Sequence, residues 1–205
     1  KNTKIFYALS ESEEREYNGP FVIDKTTDIK AVAVVDGRSS TASEGSFKKI
    51  DAGRSITIKN PYSSQYEAGG DIALIDLQRG NDNFRVGMWQ GYYGVDVDVT
   101  VDLGENTNIT RLAGSFLQDQ KSWIFMPTEV EFFISNDGKN FKSVGAVENE
   151  VAEDVEDAII QELDVRKRMN ARYVRMVAKS IGLCPDWHVG AGEKAWIFCD
   201  EFVIE

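Results

Sequence analysis

WIFMPTEVEFFISNDGKNFKSVG, residues 123–145, spells strand, tight turn, strand. Val130, Phe132 and Ile134 alternate with Glu129, Glu131 and Phe133, the two-residue period of a pleated strand. Ser135-Asn136-Asp137-Gly138 is a turn by its chemistry: Asn and Asp bond nearby backbone and tolerate positive φ, and Gly adopts it freely. Phe141 to Val144 returns as the partner strand, and Pro127 stands at the start of the first strand, where its missing N–H does no harm. Apolar side chains on both faces of such a hairpin need covering, which points to two stacked sheets.

Outward from the hairpin, β signals run in both directions. Val97, Val99, Val101 and Leu103 alternate with Asp96, Asp98, Thr100 and Asp102, and Gly104 is expected to end that strand. Residues 109–116, 172–178 and 195–204 read as further strands, and 180–194 as a long loop. Residues 147–165 are ambiguous, since Val151, Val155, Ile159 and Leu163 have helical spacing. Their all-β surroundings favour a loop followed by a strand. Near the start, residues 4–9 and 29–35 read as strands, with turns at Gly19-Pro20 and Asp36-Gly37. The expected architecture is all-β: a small β unit over 1–52, then a larger two-sheet β-sandwich over 53–205.

With 205 residues the chain can bury such a core. Its net charge of −11 opposes nucleic acid, whose phosphates require Lys and Arg, and opposes anionic lipid surfaces equally. Neutral partners, sugars foremost, fit better. Cys184 and Cys199 read as free thiols, with a disulfide as the alternative. No apolar run is long enough to span a membrane. The start at Lys1 carries no signal-peptide pattern, as in a mature chain, a cytosolic one or a fragment of a longer one.

Val99-Thr100-Val101-Asp102-Leu103-Gly104, Ser135-Asn136-Asp137-Gly138 and Ala171-Arg172-Tyr173-Val174-Arg175, in that order, resemble a discoidin-like domain, the coagulation factor V/VIII type C fold shared by family 32 carbohydrate-binding modules. The resemblance spans about residues 55–205 and implies a jelly-roll β-sandwich over 53–205. Trp89-Gln90-Gly91-Tyr92 and Asp186-Trp187-His188-Val189-Gly190-Ala191-Gly192 are similar to the C-terminal region of bacterial family 20 β-N-acetylhexosaminidases, the chitobiase-like enzymes. Tyr17-Asn18-Gly19-Pro20-Phe21 and Ile29-Lys30-Ala31-Val32-Ala33 resemble the small sandwich preceding that module, which implies an immunoglobulin- or fibronectin-like β-sandwich over 1–52. The resemblance implies a non-catalytic accessory region, with the catalytic barrel upstream, in a periplasmic, cell-surface or secreted bacterial protein. It brings the loops around 76–93, 115–127 and 182–196 to one end of the sandwich. It also points to a structural Ca²⁺ held by Asp76 and Glu201, the alternative being solvated acids. Leu77 stands where relatives usually carry glycine.

Sugars stack their C–H faces on indole or phenol rings, beside polar groups that read the hydroxyls. The candidate binding residues are Trp89, Tyr92, Tyr93 and Trp187 as platform, with Asp186 and His188 as polar partners. The bland alternative is that the aromatics fill the ends of the sandwich and His188 bonds loop backbone. Trp123 and Trp196 are expected to pack. The expected function is binding of N-acetylhexosamine-type or related terminal sugars. The alternative is a structural or interaction domain that packs on the catalytic domain and has no sugar site.

Overall fold

The computed structural model describes residues 3–10, 12–47, 49 and 53–205, and it divides into two compact units, Lys1–Asp51 and Ala52–Glu205. The first unit holds strands β1 (Thr3–Leu9), β2 (Arg15–Glu16), β3 (Thr27–Val35), β4 (Arg38–Ser39) and β5 (Ser43–Phe47). All pairs are antiparallel: β1 lies between β2 and β3, and the far edge of β3 takes β4 and β5. Asp36 and Gly37 both have positive φ, 49° and 78°, as a two-residue hairpin matched to strand twist requires. Among the described residues this unit shows one sheet, a single layer of the expected sandwich. Thr27 is its one buried described residue, and Tyr7 stacks on Phe21 at 4.7 Å near its surface.

The second unit contains β6 (Ser55–Ile58), β7 (Gln90–Tyr93), β8 (Val97–Gln118), β9 (Glu129–Ser135), β10 (Lys142–Glu148), β11 (Ile159–Ala178) and β12 (Trp196–Ile204). The order is β10-β9-β11-β8-β12-β7, with β6 also on β8. β8 and β11 are long enough to serve both layers. The first half of β8 pairs with β6 and the second half of β11, while its own second half pairs with β12 and the first half of β11. Register shifts near Arg166–Met169 and Ala171–Tyr173 are bulges that bend the ladder between the layers. One apolar cluster fills the space between, joining Val99 and Val101, Phe116, Phe132, Met176 and Phe202.

Two expectations are corrected here. Residues 97–103 and 109–116 form one strand, as do 159–165 and 172–178. Gly104, at φ 83°, lies in a bulge, where its N–H bonds Asp102 Oδ1 at 2.8 Å, and β8 continues past it. Residues before Ile159 form the expected loop. The central hairpin closes as read: Asp137 Oδ1 accepts from the backbone N–H groups of Lys139 and Asn140, at 2.9 and 2.8 Å.

The acids on the outer face of β8 are paired rather than bare. Arg175 forks onto Asp98, with both bonds at 2.7 Å, and Lys59 reaches Asp98 Oδ2 at 3.0 Å. Arg172 forks onto Asp102 at 2.8 and 2.9 Å. Cys184 and Cys199 are both free and buried, in different clusters.

Candidate functional site

The long loop after β11 is a pinned structure. Cys184 N–H bonds the Glu193 carbonyl at 2.7 Å, and Ala195 N–H bonds Gly182 at 3.0 Å, so the two loop arms are paired. Turns then close the tip: His188 N–H bonds Pro185 O and Ala191 N–H bonds His188 O, each at 2.9 Å. The imidazole of His188 points inward. Its Nδ1 accepts from Gly190 N–H at 3.0 Å, which leaves Nε2 to carry the hydrogen and donate to the Gln120 carbonyl, 2.8 Å away. Gly190 lies against the Trp123 indole, where a Cβ would come within 2.8 Å.

With His188 turned in, its neighbours turn out. Trp187 is 52% exposed and Val189 90%. The Trp187 ring meets His188 edge-on at 5.6 Å and Phe125 at 6.5 Å, so its inner edge is buttressed while one side faces solvent. Asp186 is exposed beside it, and no hydrogen bond or ion pair engages its carboxylate among the described residues. Leu183, on the same loop, is 55% exposed.

The other candidates fall differently. Trp89 is a core residue, 1% exposed; its Nε1 donates to the Asn81 carbonyl at 3.0 Å and its ring covers Gly80, where a Cβ would sit 2.2 Å away. Tyr92 is fully buried, its hydroxyl donating to Gln90 Oε1 at 2.9 Å, and burial pushes the phenol well above its usual range. The two leave the platform in different ways. The segment between β6 and β7 folds over the outer face of the β12 layer, and Tyr66, Phe84, Met88 and Trp89 seal a second apolar cluster with Phe198, whereas Tyr92 belongs to the main cluster between the layers, with Val97, Ile197 and Phe202. His188 is likewise structural, since backbone groups occupy both ring nitrogens.

Tyr93 is 38% exposed, with its ring 4.6 Å from Trp196 and Lys194 Nζ 5.7 Å from its centroid. No ring contact links Tyr93 to Trp187 among the described residues, so the predicted platform resolves into two separate aromatic patches. The sequence reading missed Leu183, Val189 and the supporting Phe125. The one available signal was alternation about His188, visible only once that side chain is known to point inward.

Asp76 and Glu201 approach each other at the loop after a short 3-10 helix, Asp71–Ile75. Glu201 Oε2 accepts from Leu77 N–H at 2.8 Å, and Asp76 bonds Gln78 through both oxygens. Next to them Asp200 accepts from Gly80 N–H at 2.7 Å and from Arg79 at 3.4 Å. Arg79 also pairs with Glu162, which Arg111 shares. Burial, with the nearby charges of Asp76 and Asp200 adding, pushes Glu201 up to about 8. Leu77 holds φ 65°, the left-handed region natural to glycine. The donor set suits a hard cation, because its atoms are carboxylate oxygens in a locally negative site. Among the described residues no three His, Cys, Asp or Glu are grouped to hold a metal, so loop carbonyls would have to complete the shell.

Among curated proteins none matches the chain. Among solved structures it is similar to a Clostridium perfringens CBM32 domain in complex with GalNAc-β-1,3-galactose, at 17% identity over 74% of this chain and 94% of that one, TM-score 0.45. It is also similar to CBM32-3 of a family 31 glycoside hydrolase from the same organism, at 18% identity over 75% and 90%, TM-score 0.48. The C-terminal domain of a chitobiase from Bacteroides fragilis aligns at 18% identity over 75% and 96%, TM-score 0.44. The F5/8 type C domain family matches residues 55–201, nearly the whole second unit. By that match, over most of the chain and all the strands of the jelly roll, the protein belongs to the F5/8 type C domain family.

Proposed function

We propose that this protein is a non-catalytic carbohydrate-binding module, that it takes N-acetylhexosamine-type or related terminal sugars at the Trp187 loop tip, and that it serves a larger, family 20-like glycoside hydrolase outside the cell. One observation carries the site: a half-exposed indole held on a loop that backbone bonds and His188 make rigid. A flat apolar ring on a pinned backbone is the element a pyranose face needs, and pre-organisation limits the entropy lost on binding. The family 32 modules among the similar structures, one of them in complex with GalNAc-β-1,3-galactose, agree with this reading. No helix among the described residues is long and apolar enough to cross a membrane. Binding is expected to be weak, because an open platform buries little area.

Leu183 and Val189, exposed on the same loop as Trp187, favour a second reading, a docking patch for a neighbouring domain. Calorimetric titration of the chain with N-acetylglucosamine and N-acetylgalactosamine separates the two. Saturable binding that disappears in Trp187→Ala supports the sugar site, and no heat with either sugar leaves the docking patch. We also propose that Asp76 and Glu201 share a structural Ca²⁺, which the crowding of carboxylates around the buried Glu201 supports.

A further inference from the structure

The loop tip that carries Trp187 sits in a strongly acidic neighbourhood. His188 ties the tip to Gln120 at 2.8 Å. The segment bearing Gln120 is tied in turn to the loop before β11: Gln118 Nε2 donates to the Ala152 carbonyl at 2.7 Å, and Lys121 pairs with Glu156 at 3.0 Å. Three segments, 119–122, 149–158 and 184–193, are thus stitched together at one end of the sandwich. They carry eight carboxylates and one lysine, Lys121, which Glu156 already engages. Asp186, next to the exposed indole, has no partner among the described residues.

We infer that this site prefers hexosamine chains carrying free, protonated 2-amino groups over their N-acetylated counterparts, and rejects uronate-bearing or sulfated glycans. The inference rests on the proposed sugar site at Trp187. Two physical terms act together. An ammonium group is drawn to the face of an indole and to an unpaired carboxylate beside it. The other carboxylates of the three joined segments add a field that concentrates cations and repels anions, within a Debye length. The acetyl group removes the charge and both terms with it.

The test compares glucosamine and N-acetylglucosamine oligomers of matched length, titrated into the intact chain at mildly acidic pH. The expected preference for the amine form is about fivefold at low salt, the size of one to two exposed charge contacts. It should collapse towards one in high salt and in Asp186→Asn, whose fold is checked by its melting curve. A wild-type preference of one or below, with the N-acetylated oligomer bound, overturns the inference and leaves the sugar site standing. So does a preference that neither salt nor Asp186→Asn reduces. Binding of neither oligomer overturns both.

Discussion

The Nε2 of His188 lies 2.8 Å from the carbonyl oxygen of Gln120, a contact that fastens the loop tip to a segment 68 residues earlier. With Nδ1 receiving the Gly190 N–H, the ring satisfies two backbone groups of different segments and is only 5% exposed. A residue that reads as a sugar ligand is therefore the fastening that sets Trp187 in the open.

Replacing His188 with Ala should leave the Gly190 donor and the Gln120 acceptor without their buried partner. The expected loss is about 1–3 kcal/mol, since unpaired buried polar groups carry their full desolvation penalty. Urea denaturation measures it. Sugar affinity should fall as well, because Trp187 loses its fixed position. Unaltered stability and binding together would show that the loop is held by its backbone turns alone.

Trp187→Ala and Trp89→Ala should behave oppositely. The exposed ring of Trp187 contributes a stacking contact of about 0.5–1.5 kcal/mol beyond its area, enough to remove weak binding while the melting point barely moves. Trp89 seals the second apolar cluster, and its loss should lower stability by about 3–5 kcal/mol. Thermal melts beside sugar titrations read both. A collapsed Trp187→Ala or a fully stable Trp89→Ala contradicts the assignment.

Acid stability should depend on the arginine forks of β11. Burial pushes Asp98 up, but bonds from Arg175 and Lys59 outweigh it and hold the carboxyl below its usual range. The Arg172 fork holds Asp102 down to about 2 against a smaller opposing effect of burial. For a depressed carboxyl the unfolded chain binds more protons near its ordinary pKa. The stabilisation is thus complete above about pH 4 and is lost as pH falls towards the folded value. The urea midpoint should drop over that acid range and drop less in Arg172→Met. Arg175→Met leaves Asp98, 6% exposed, with Lys59 alone; an expected cost of about 2–3 kcal/mol near neutral pH is below that of a fully buried pair, because Arg175 is 27% exposed. An acid profile identical in wild type and Arg172→Met would remove Asp102 from the account.

Calcium offers a direct measurement. If Asp76 and Glu201 share the ion in the folded state alone, excess calcium at about a hundred times Kd adds about 2.7 kcal/mol, several degrees of melting temperature. Chelator should reverse the shift, and Glu201→Gln should not respond. Superimposable melts with calcium and with chelator would exclude the site.

Leu77→Gly gives a separate reading of the same loop. Relief of the left-handed strain, about 1–2 kcal/mol, exceeds the extra backbone entropy of glycine, about 0.5–1 kcal/mol, so a small gain in stability is expected. A clear loss would mean that the Leu77 side chain, 39% exposed, packs better than its surroundings suggest.

Local patterning was enough to place the strand segments, though not to join them into β8 and β11. Period-two alternation at Val97–Leu103 and Glu129–Ile134, and the Asn136-Asp137-Gly138 and Asp36-Gly37 turns, are local properties of the backbone, and the structure reproduces them. Local chemistry also let Ile159 be read as strand against a helical spacing, given its surroundings. It could not show that Gly104 bends a strand instead of ending it, because the bulge depends on β11 running alongside. Nor could it sort the aromatics. Trp89, Tyr92 and Trp187 occupy similar glycine-rich contexts, yet the first two are covered by chain that packs back from a distance, and the third is pushed out by a histidine bound to a carbonyl 68 residues earlier. Exposure is a property of what arrives from elsewhere in the chain, so long-range packing selects the ring that is free to meet a ligand.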